Sequence, residues 1–139
     1  MGRILAIDFG TKRVGLASTD PLQIIASPLD TVPNKDIFTY LKTYMNSEEV
    51  EKIIVGMPKN LQNEDTHATE SVRKFVLKLK ETFPDVKIIT ADERFTSKMA
   101  FQTMIDGGLK KKDRQNKETV DKVSATIILQ SYMQSNSSY

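Results

Sequence analysis

Three acidic residues stand next to predicted strand or helix ends, where their carboxylates could act together. Asp8 closes the apolar run 3–9, Glu93 follows the last predicted strand, and Asp121 lies in the first turn of the last predicted helix. At about 4 Å, each like-charged pair costs on the order of 4 kcal/mol at an effective dielectric constant of roughly 20, so such a cluster needs cations. Oxygen ligands favour Mg²⁺ or Mn²⁺. We therefore predict that Asp8, Glu93 and Asp121 are the catalytic residues and the metal ligands.

A pair of such ions can activate water and stabilise the leaving oxygen, so the predicted chemistry is phosphodiester hydrolysis at a two-metal site. Two of the acids also have a structural interpretation. Asp8 could cap the turn through Gly10 and Thr11, and Asp121 could interact with the helix dipole. It is the predicted convergence of all three acids that favours catalysis.

Basic residues accompany these acids along the chain. Lys12 and Arg13 follow Asp8, Arg94 follows Glu93, and the segment 110–117 is rich in lysine and arginine. Such groups can bind a phosphate backbone without reading sequence, although the segment 110–117 alone could equally be a solvated loop. The predicted substrate-binding residues are Lys12, Arg13, Arg94, Lys110, Lys111, Lys112, Arg114 and Lys117.

Length and composition restrict the possibilities further. The chain has 139 residues and a mass of 15.7 kDa, which predicts one domain spanning residues 1–139. Because it contains no cysteine, disulfide frameworks, zinc–thiolate sites and cysteine nucleophiles are excluded. The sequence shows neither a secretory signal nor an apolar run of membrane-spanning length, so we expect a cytoplasmic protein without membrane contact. The net charge of +2 points to no particular partner.

Hydrophobic periodicity and turn signals predict five strands and four helices. Short turns at 10–13 and 20–21 join the first three strands, and helices separate the later ones. The predicted strands are 3–9, 14–19, 23–27, 52–56 and 86–91. The predicted helices follow Pro33-Asn34 with Ile37, Tyr40, Leu41, Tyr44 and Met45 on one face, and then cover 66–82, from 96 or 97 to 107–108, and 119–133.

The connections predict how the strands are arranged. Short turns make the first three strands an antiparallel meander, whereas helical crossovers make the last two parallel to their neighbours. The expected fold class is α/β, a ribonuclease H-like mixed five-stranded sheet with helices packed on it. If the first strand is central, Asp8 lies at the topological switch point, and the ends of the first and last strands share one edge of the sheet.

Four motifs in this order resemble the YqgF family: Asp8-Phe9-Gly10-Thr11-Lys12-Arg13-Val14-Gly15, Gly56-Met57-Pro58, Asp92-Glu93-Arg94-Phe95-Thr96 and Val120-Asp121-Lys122-Val123-Ser124-Ala125. Members of that family are Holliday-junction-resolvase-like proteins that are also described as pre-16S rRNA nucleases. The resemblance covers nearly the whole chain. It implies a cytoplasmic, metal-dependent nuclease that trims the 5′ end of the 16S rRNA precursor during ribosome biogenesis, with Asp8, Glu93 and Asp121 at the family's catalytic positions.

Two further functions stay open at this point. A Holliday-junction resolvase would need two sites on a symmetric dimer, and true resolvases place an acid at the end of the fourth strand, where this chain has Gly56-Met57. A non-catalytic assembly factor would keep the fold and use its basic residues alone to bind nucleic acid. We expect structured RNA as the partner rather than DNA junctions, and a monomer or weak homodimer.

Overall fold

The protein was analysed as a computed structural model in which residues 2–57, 67–92 and 117–135 are described. The strands are β1 (Arg3–Phe9), β2 (Arg13–Thr19), β3 (Ala26–Pro33), β4 (Val50–Met57) and β5 (Lys87–Asp92). A 3₁₀ turn (Asn34–Asp36) leads into α1 (Ile37–Ser47), and the other helices are α2 (His67–Thr82) and α3 (Lys117–Ser135). The helix predicted from residue 96 or 97 to 107–108 lies outside the described residues.

The five strands form one mixed sheet in the order β3-β2-β1-β4-β5. β1 pairs with β2, and β2 with β3, in antiparallel fashion, while β1–β4 and β4–β5 are parallel. The predicted topology is therefore confirmed, with β1 at the centre of the sheet. β1 has an antiparallel neighbour on one side and a parallel neighbour on the other. This change in strand order beside β1 creates a topological switch point, where α/β proteins commonly bind ligands.

Alternation along β1 separates two cores, one on each face of the sheet. Leu5 and Ile7 belong to the core beneath α1 and α2. Ile4 and Ala6 belong to the core that also contains α3 residues. Because residues 4 to 7 are all buried, this part of the strand reads as the continuous apolar run seen in the sequence.

The prediction for the third strand was wrong in its bounds. It was expected at 23–27, but β3 covers Ala26–Pro33 and pairs from Thr19↔Ala26 to Arg13↔Pro33. The residues before it form a loop because the Asp20 carboxylate accepts hydrogen bonds from the backbone N–H groups of Ile24 and Ile25, both at 2.8 Å. β3 is an edge strand, which is where a sheet tolerates proline within a strand.

Helix α3 crosses the sheet on the face opposite α1 and α2. Residues 124–129 are buried without interruption, so the middle of this helix is covered on all sides. The helix starts at Lys117, two residues earlier than predicted. Among the described helices, none combines the length and the apolar character needed to span a bilayer.

Candidate active site at the carboxyl end of the central strand

Asp8 is the next-to-last residue of β1 and pairs with Gly15 of β2. It lies two residues beyond Ala6, whose side chain packs in the α3-side core, so alternation directs the half-buried Asp8 toward the α3 face. The central strand thus presents a carboxylate at its carboxyl end, on the face that α3 covers. This is the placement predicted for the first catalytic acid.

The strand next to Asp8 carries no side chain at the same level of the sheet. Ile7 aligns with Val55, which places Asp8 level with Gly56, and Gly56 in turn aligns with Ala91. Glycine has no side chain, and two strand spacings separate β1 from β5 by about 10 Å. β4 therefore places no side chain between Asp8 and the end of β5. Glu93 directly follows Asp92, the last residue of β5, and lies outside the described residues.

One contact locates the end of α3 on the sheet. Lys52 Nζ lies 3.4 Å from the Tyr132 hydroxyl, so the end of α3 sits over the start of β4. A helix rises about 1.5 Å per residue, which carries position 121 about 16 Å back from Tyr132. β4 covers a similar distance, about 16 Å, from Lys52 to its end at Met57. An axis running straight back along β4 would bring position 121 level with the carboxyl end of that strand; the Asp121 side chain lies outside the described set, so its meeting with Asp8 stays a prediction.

A buried hydroxyl on α3 has no partner near this level. Ser124 is 1% exposed, and within the described part of the chain its Oγ atom makes no hydrogen bond. Leaving such a group unsatisfied costs about 1–3 kcal/mol. An unsatisfied hydroxyl three residues after Asp121 fits a place that holds a water molecule or an ion when the protein is loaded.

The turn that follows Asp8 is held by a residue from another part of the chain. The Asn34 amide donates to the Gly10 carbonyl oxygen at 2.6 Å, and the Asn34 backbone N–H donates to the Lys12 carbonyl oxygen at 2.9 Å. A Cβ atom on Gly10 would collide with the carbonyl oxygen of Arg13. Gly10 therefore permits the close approach, and Asn34 fixes the turn.

The basic residues around this turn are partly placed. Lys12 is exposed in the turn, and Arg13 is the first residue of β2 and is half-buried. Lys117 is the first residue of α3, at the end of the helix expected near Asp8, but its side chain is not described. The remaining predicted substrate-binding residues lie outside the described residues: Arg94, Lys110, Lys111, Lys112 and Arg114.

The sequence interpretation missed the role of Asn34. It assigned Pro33-Asn34 to turn and capping chemistry ahead of the first helix, whereas no side-chain capping bond is formed at that helix start. The Asn34 side chain instead contacts Gly10, 24 positions earlier. Only the polar amide next to a proline was visible in the sequence, and its long-range partner depends on the strand pairing of β2 with β3.

No group of three acid, histidine or cysteine side chains comes together among the described residues. Because Glu93 and the Asp121 side chain are outside that set, the three-acid cluster stays a prediction. What the structure provides is Asp8 on the α3 face, a glycine level with it on β4, and a buried hydroxyl on α3 that has no partner in the described part of the chain.

Comparison with known proteins gives three findings. The family model described as "RuvX: Holliday junction resolvase" matches residues 2–135. A Flavobacterium psychrophilum protein named "Putative pre-16S rRNA nuclease" is 56% identical over 133 residues, covering 96% of this chain and 97% of its own length. A protein of the same name from Amoebophilus asiaticus is 53% identical over 135 residues, with 97% and 96% covered.

Among solved structures, Thermus thermophilus RuvC bound to a Holliday junction superposes with a TM-score of 0.57 at 17% identity, over 97% of this chain and 96% of that one. Another structure of the same protein gives a TM-score of 0.54 at 16% identity, with 96% and 95% covered. At this identity the likeness concerns the fold, and it agrees with the ribonuclease H-like architecture predicted from the strand order.

Proposed function

Because the chain belongs to the RuvX family of Holliday junction resolvases, we propose that it is a nuclease that trims the 5′ end of the 16S rRNA precursor. Two relatives that are 56% and 53% identical to this chain over nearly their whole length are named as pre-16S rRNA nucleases. The observation that carries the chemistry is the position of Asp8, at the carboxyl end of the central strand on the face covered by α3. The proposed action is cytoplasmic, as part of ribosome biogenesis.

The proposed cofactor is a pair of Mg²⁺ or Mn²⁺ ions held by Asp8, Glu93 and Asp121. Two observations support the fit: Gly56, level with Asp8 on β4, contributes no side chain, and the buried Ser124 hydroxyl on α3 has no partner in the described part of the chain. Such ions, when bound, neutralise the acids, activate a water and stabilise the leaving oxygen. Asp8 would supply the ligand from the central strand, while Glu93, which follows β5, and Asp121 on α3 would supply the others.

The proposed substrate contacts begin with the turn that Asn34 holds. Lys12 presents an exposed ammonium group directly after the catalytic strand, and the guanidinium of Arg13 can bind a phosphate through two parallel hydrogen bonds. Arg94 and the basic segment 110–117 would provide further contacts along the bound RNA strand. Because these groups contact phosphates, they contribute affinity and position and no base specificity.

A Holliday-junction resolvase is the second candidate, favoured by the family description and by the fold shared with RuvC. The end of β4 argues for RNA instead, because Gly56 and Met57 offer no carboxylate there. Incubating the purified protein with a four-way DNA junction and with precursor 16S rRNA, each with Mg²⁺, separates the two. We expect cleavage of the RNA only; cleavage of the junction alone would support the resolvase.

The decisive experiment is depletion in cells, followed by mapping of the 16S rRNA 5′ ends. We expect the precursor to accumulate, and we expect the wild-type gene to restore mature ends while Asp8→Asn does not. An Asp20→Asn gene serves as the matched control, since Asp20 lies at the other end of β2, and it should restore maturation. Mature ends at normal abundance after depletion would refute the processing role.

A further inference from the structure

A cleft of about 330 Å³ opens between the 3₁₀ turn, α1 and α2, at the same end of the sheet as Asp8 but on the other face. This volume is at the lower end of the range for small-ligand sites, so it can take a single residue of a larger ligand. The side chains that define its chemistry are three phenyl rings and three ammonium groups: Phe9, Phe38, Phe75, Lys35, Lys74 and Lys78.

The rings form a fixed floor. Phe75 is 5% exposed and stacks on Phe9, with the ring centroids 4.3 Å apart, and Phe38 meets Phe75 edge to face at 5.5 Å. Phe9 and Phe38 are only half-buried, so both retain surface toward the cleft. Because the buried Phe75 anchors the other two, the rings need little reordering to receive a flat ligand.

The rim of the cleft is cationic. Lys35, Lys74 and Lys78 are exposed, and in the part of the chain that the structure describes none of them takes part in an ion pair. Lys78 Nζ lies 4.6 Å from the centroid of the Phe38 ring. Aromatic rings that stack bases and cations that bind phosphates are the two contacts by which proteins hold single-stranded nucleic acid, and the cleft offers both.

The cleft is joined to the catalytic edge by Asn34. This residue lines the cleft and also holds Gly10 and Lys12 in the turn after Asp8. Phe9 directly follows Asp8 and faces the opposite side of the sheet, since successive residues of a strand alternate. A strand of nucleic acid that reaches Asp8 can therefore pass over the turn and enter the cleft.

We propose that this cleft is a subsite for an unpaired nucleotide of the RNA substrate, which flanks the scissile phosphate and stacks on Phe38 and Phe9 while Lys74 and Lys78 bind its phosphates. The inference rests on the proposed nuclease function for the identity of the RNA. It adds a requirement on the RNA that the proposed two-metal cleavage does not itself impose, namely a single-stranded segment beside the cleavage site.

Binding tests this proposal without relying on cleavage. In an Asp8→Asn background, fluorescence anisotropy with a labelled single-stranded RNA oligonucleotide compares Lys74→Gln/Lys78→Gln with Lys42→Gln/Lys80→Gln. The control pair removes the same charge from exposed positions on α1 and α2 that do not line the cleft. We expect the cleft pair to bind about tenfold more weakly than the control, with a salt slope reduced by about 1.4 for two lost single-strand phosphate contacts.

Stacking is tested by Phe38→Leu, for which we expect about a tenfold loss of affinity for the single strand. Phe38→Tyr should restore affinity because it keeps the ring. Affinity for a blunt RNA duplex should be the same in Phe38→Leu, in Phe38→Tyr and in the parent protein with Phe38. Thermal melting shows whether Phe38→Leu stays folded. Equal single-strand affinity in the cleft and control pairs, or equal losses for duplex and single strand, would overturn the subsite. Neither result depends on whether Asp8 is catalytic, which the cleavage assay decides separately.

Discussion

The two connections of β2 lie at opposite ends of the sheet and are stabilised in different ways. The β1–β2 turn (residues 10–12) follows Asp8 and is held from outside by Asn34. The β2–β3 loop (residues 20–25) is held from within, because the Asp20 carboxylate accepts N–H groups from three of its own residues, at 2.8–3.1 Å. In each case an aspartate lies at or next to the end of a strand.

The comparison shows how a structural aspartate differs from a candidate catalytic one. Asp20 spends its carboxylate on backbone N–H groups, first that of Ile25, and these lower its pKa below the ordinary value of 3.8. Asp8 lies inside the strand on the face of α3, and Asn34 holds the turn that follows it. Asp20 fills the kind of turn-capping role that the sequence also allowed for Asp8.

The surfaces of the two connections differ as well. The β2–β3 loop exposes the apolar residues Leu22, Ile24 and Ile25, each by more than 60%. The β1–β2 turn exposes Lys12 and leads into Arg13. A polyanion is attracted by the second surface and gains nothing from the first. We therefore expect changes in the β1–β2 turn to affect both RNA cleavage and stability, and changes in the β2–β3 loop to affect stability alone.

The largest expected contrast is between Asp8→Asn and Asp20→Asn. If Asp8 holds metal as proposed, Asp8→Asn should reduce Mg²⁺-dependent RNA cleavage by about 10³-fold or more, as for the removal of other groups acting in the transition state. RNA binding should be unchanged or tighter, because a negative charge is removed. Asp20→Asn should cleave within about twofold of wild type. Rates under single-turnover conditions decide, and an unchanged rate in Asp8→Asn would reject the mechanism.

Two glycines provide the next contrast, because a methyl group at either position meets backbone. Gly10→Ala collides with the Arg13 carbonyl oxygen, and Gly2→Ala places its Cβ 2.8 Å from the Glu51 backbone nitrogen. Each should lower the free energy of unfolding by about 2 kcal/mol, measured by urea titration. Only Gly10→Ala should also lower cleavage, by about tenfold, since its turn carries Lys12 and Arg13. Equal activity in the two variants would show that the turn does not position substrate.

The sequence predicted most of what lies near Asp8. The continuous apolar run of β1, its position at the centre and the parallel crossovers followed from residue pattern alone, because burial on both faces and connection length leave few alternatives. The placement of Asp8 followed as well. Glu93 and the Asp121 side chain stay predictions, supported by the ends of β5 and the direction of α3.

The β2–β3 loop, at the end of the sheet opposite Asp8, was harder to predict because local hydrogen bonds compete with strand pairing there. Gln23, Ile24 and Ile25 look like the start of a strand, yet Asp20 ties down their backbone and Gln23 adopts a φ of 60°. The Asn34 contact was missed for a related reason, since its partner lies far away in sequence. Side-chain-to-backbone bonds of this kind leave no hydrophobic pattern.

A smaller contrast separates the two polar side chains that brace the connections. Asn34→Ala removes one bond to Gly10, and Gln23→Ala removes the bonds to the Gly2 carbonyl oxygen and to Glu51, at 2.7 and 2.8 Å. At about 1 kcal/mol net for each hydrogen bond, Asn34→Ala should cost about 1 kcal/mol of stability and Gln23→Ala up to about 2 kcal/mol. Asn34→Ala should also reduce cleavage a few-fold, whereas Gln23→Ala should not. A cleavage defect in Gln23→Ala would mean that the two ends of β2 are coupled.

The smallest expected effect is the pH dependence that Asp20 gives to the β2–β3 loop. Its pKa is lowered in the folded protein, so the carboxylate stabilises the folded state above the unfolded pKa, near 3.8, and this contribution is lost as the pH falls through the lower folded value. The melting temperature of wild type should therefore exceed that of Asp20→Asn at neutral pH, and the difference should shrink below about pH 4. A difference that stays constant or grows as the pH falls would show that the carboxylate charge is not what holds the loop.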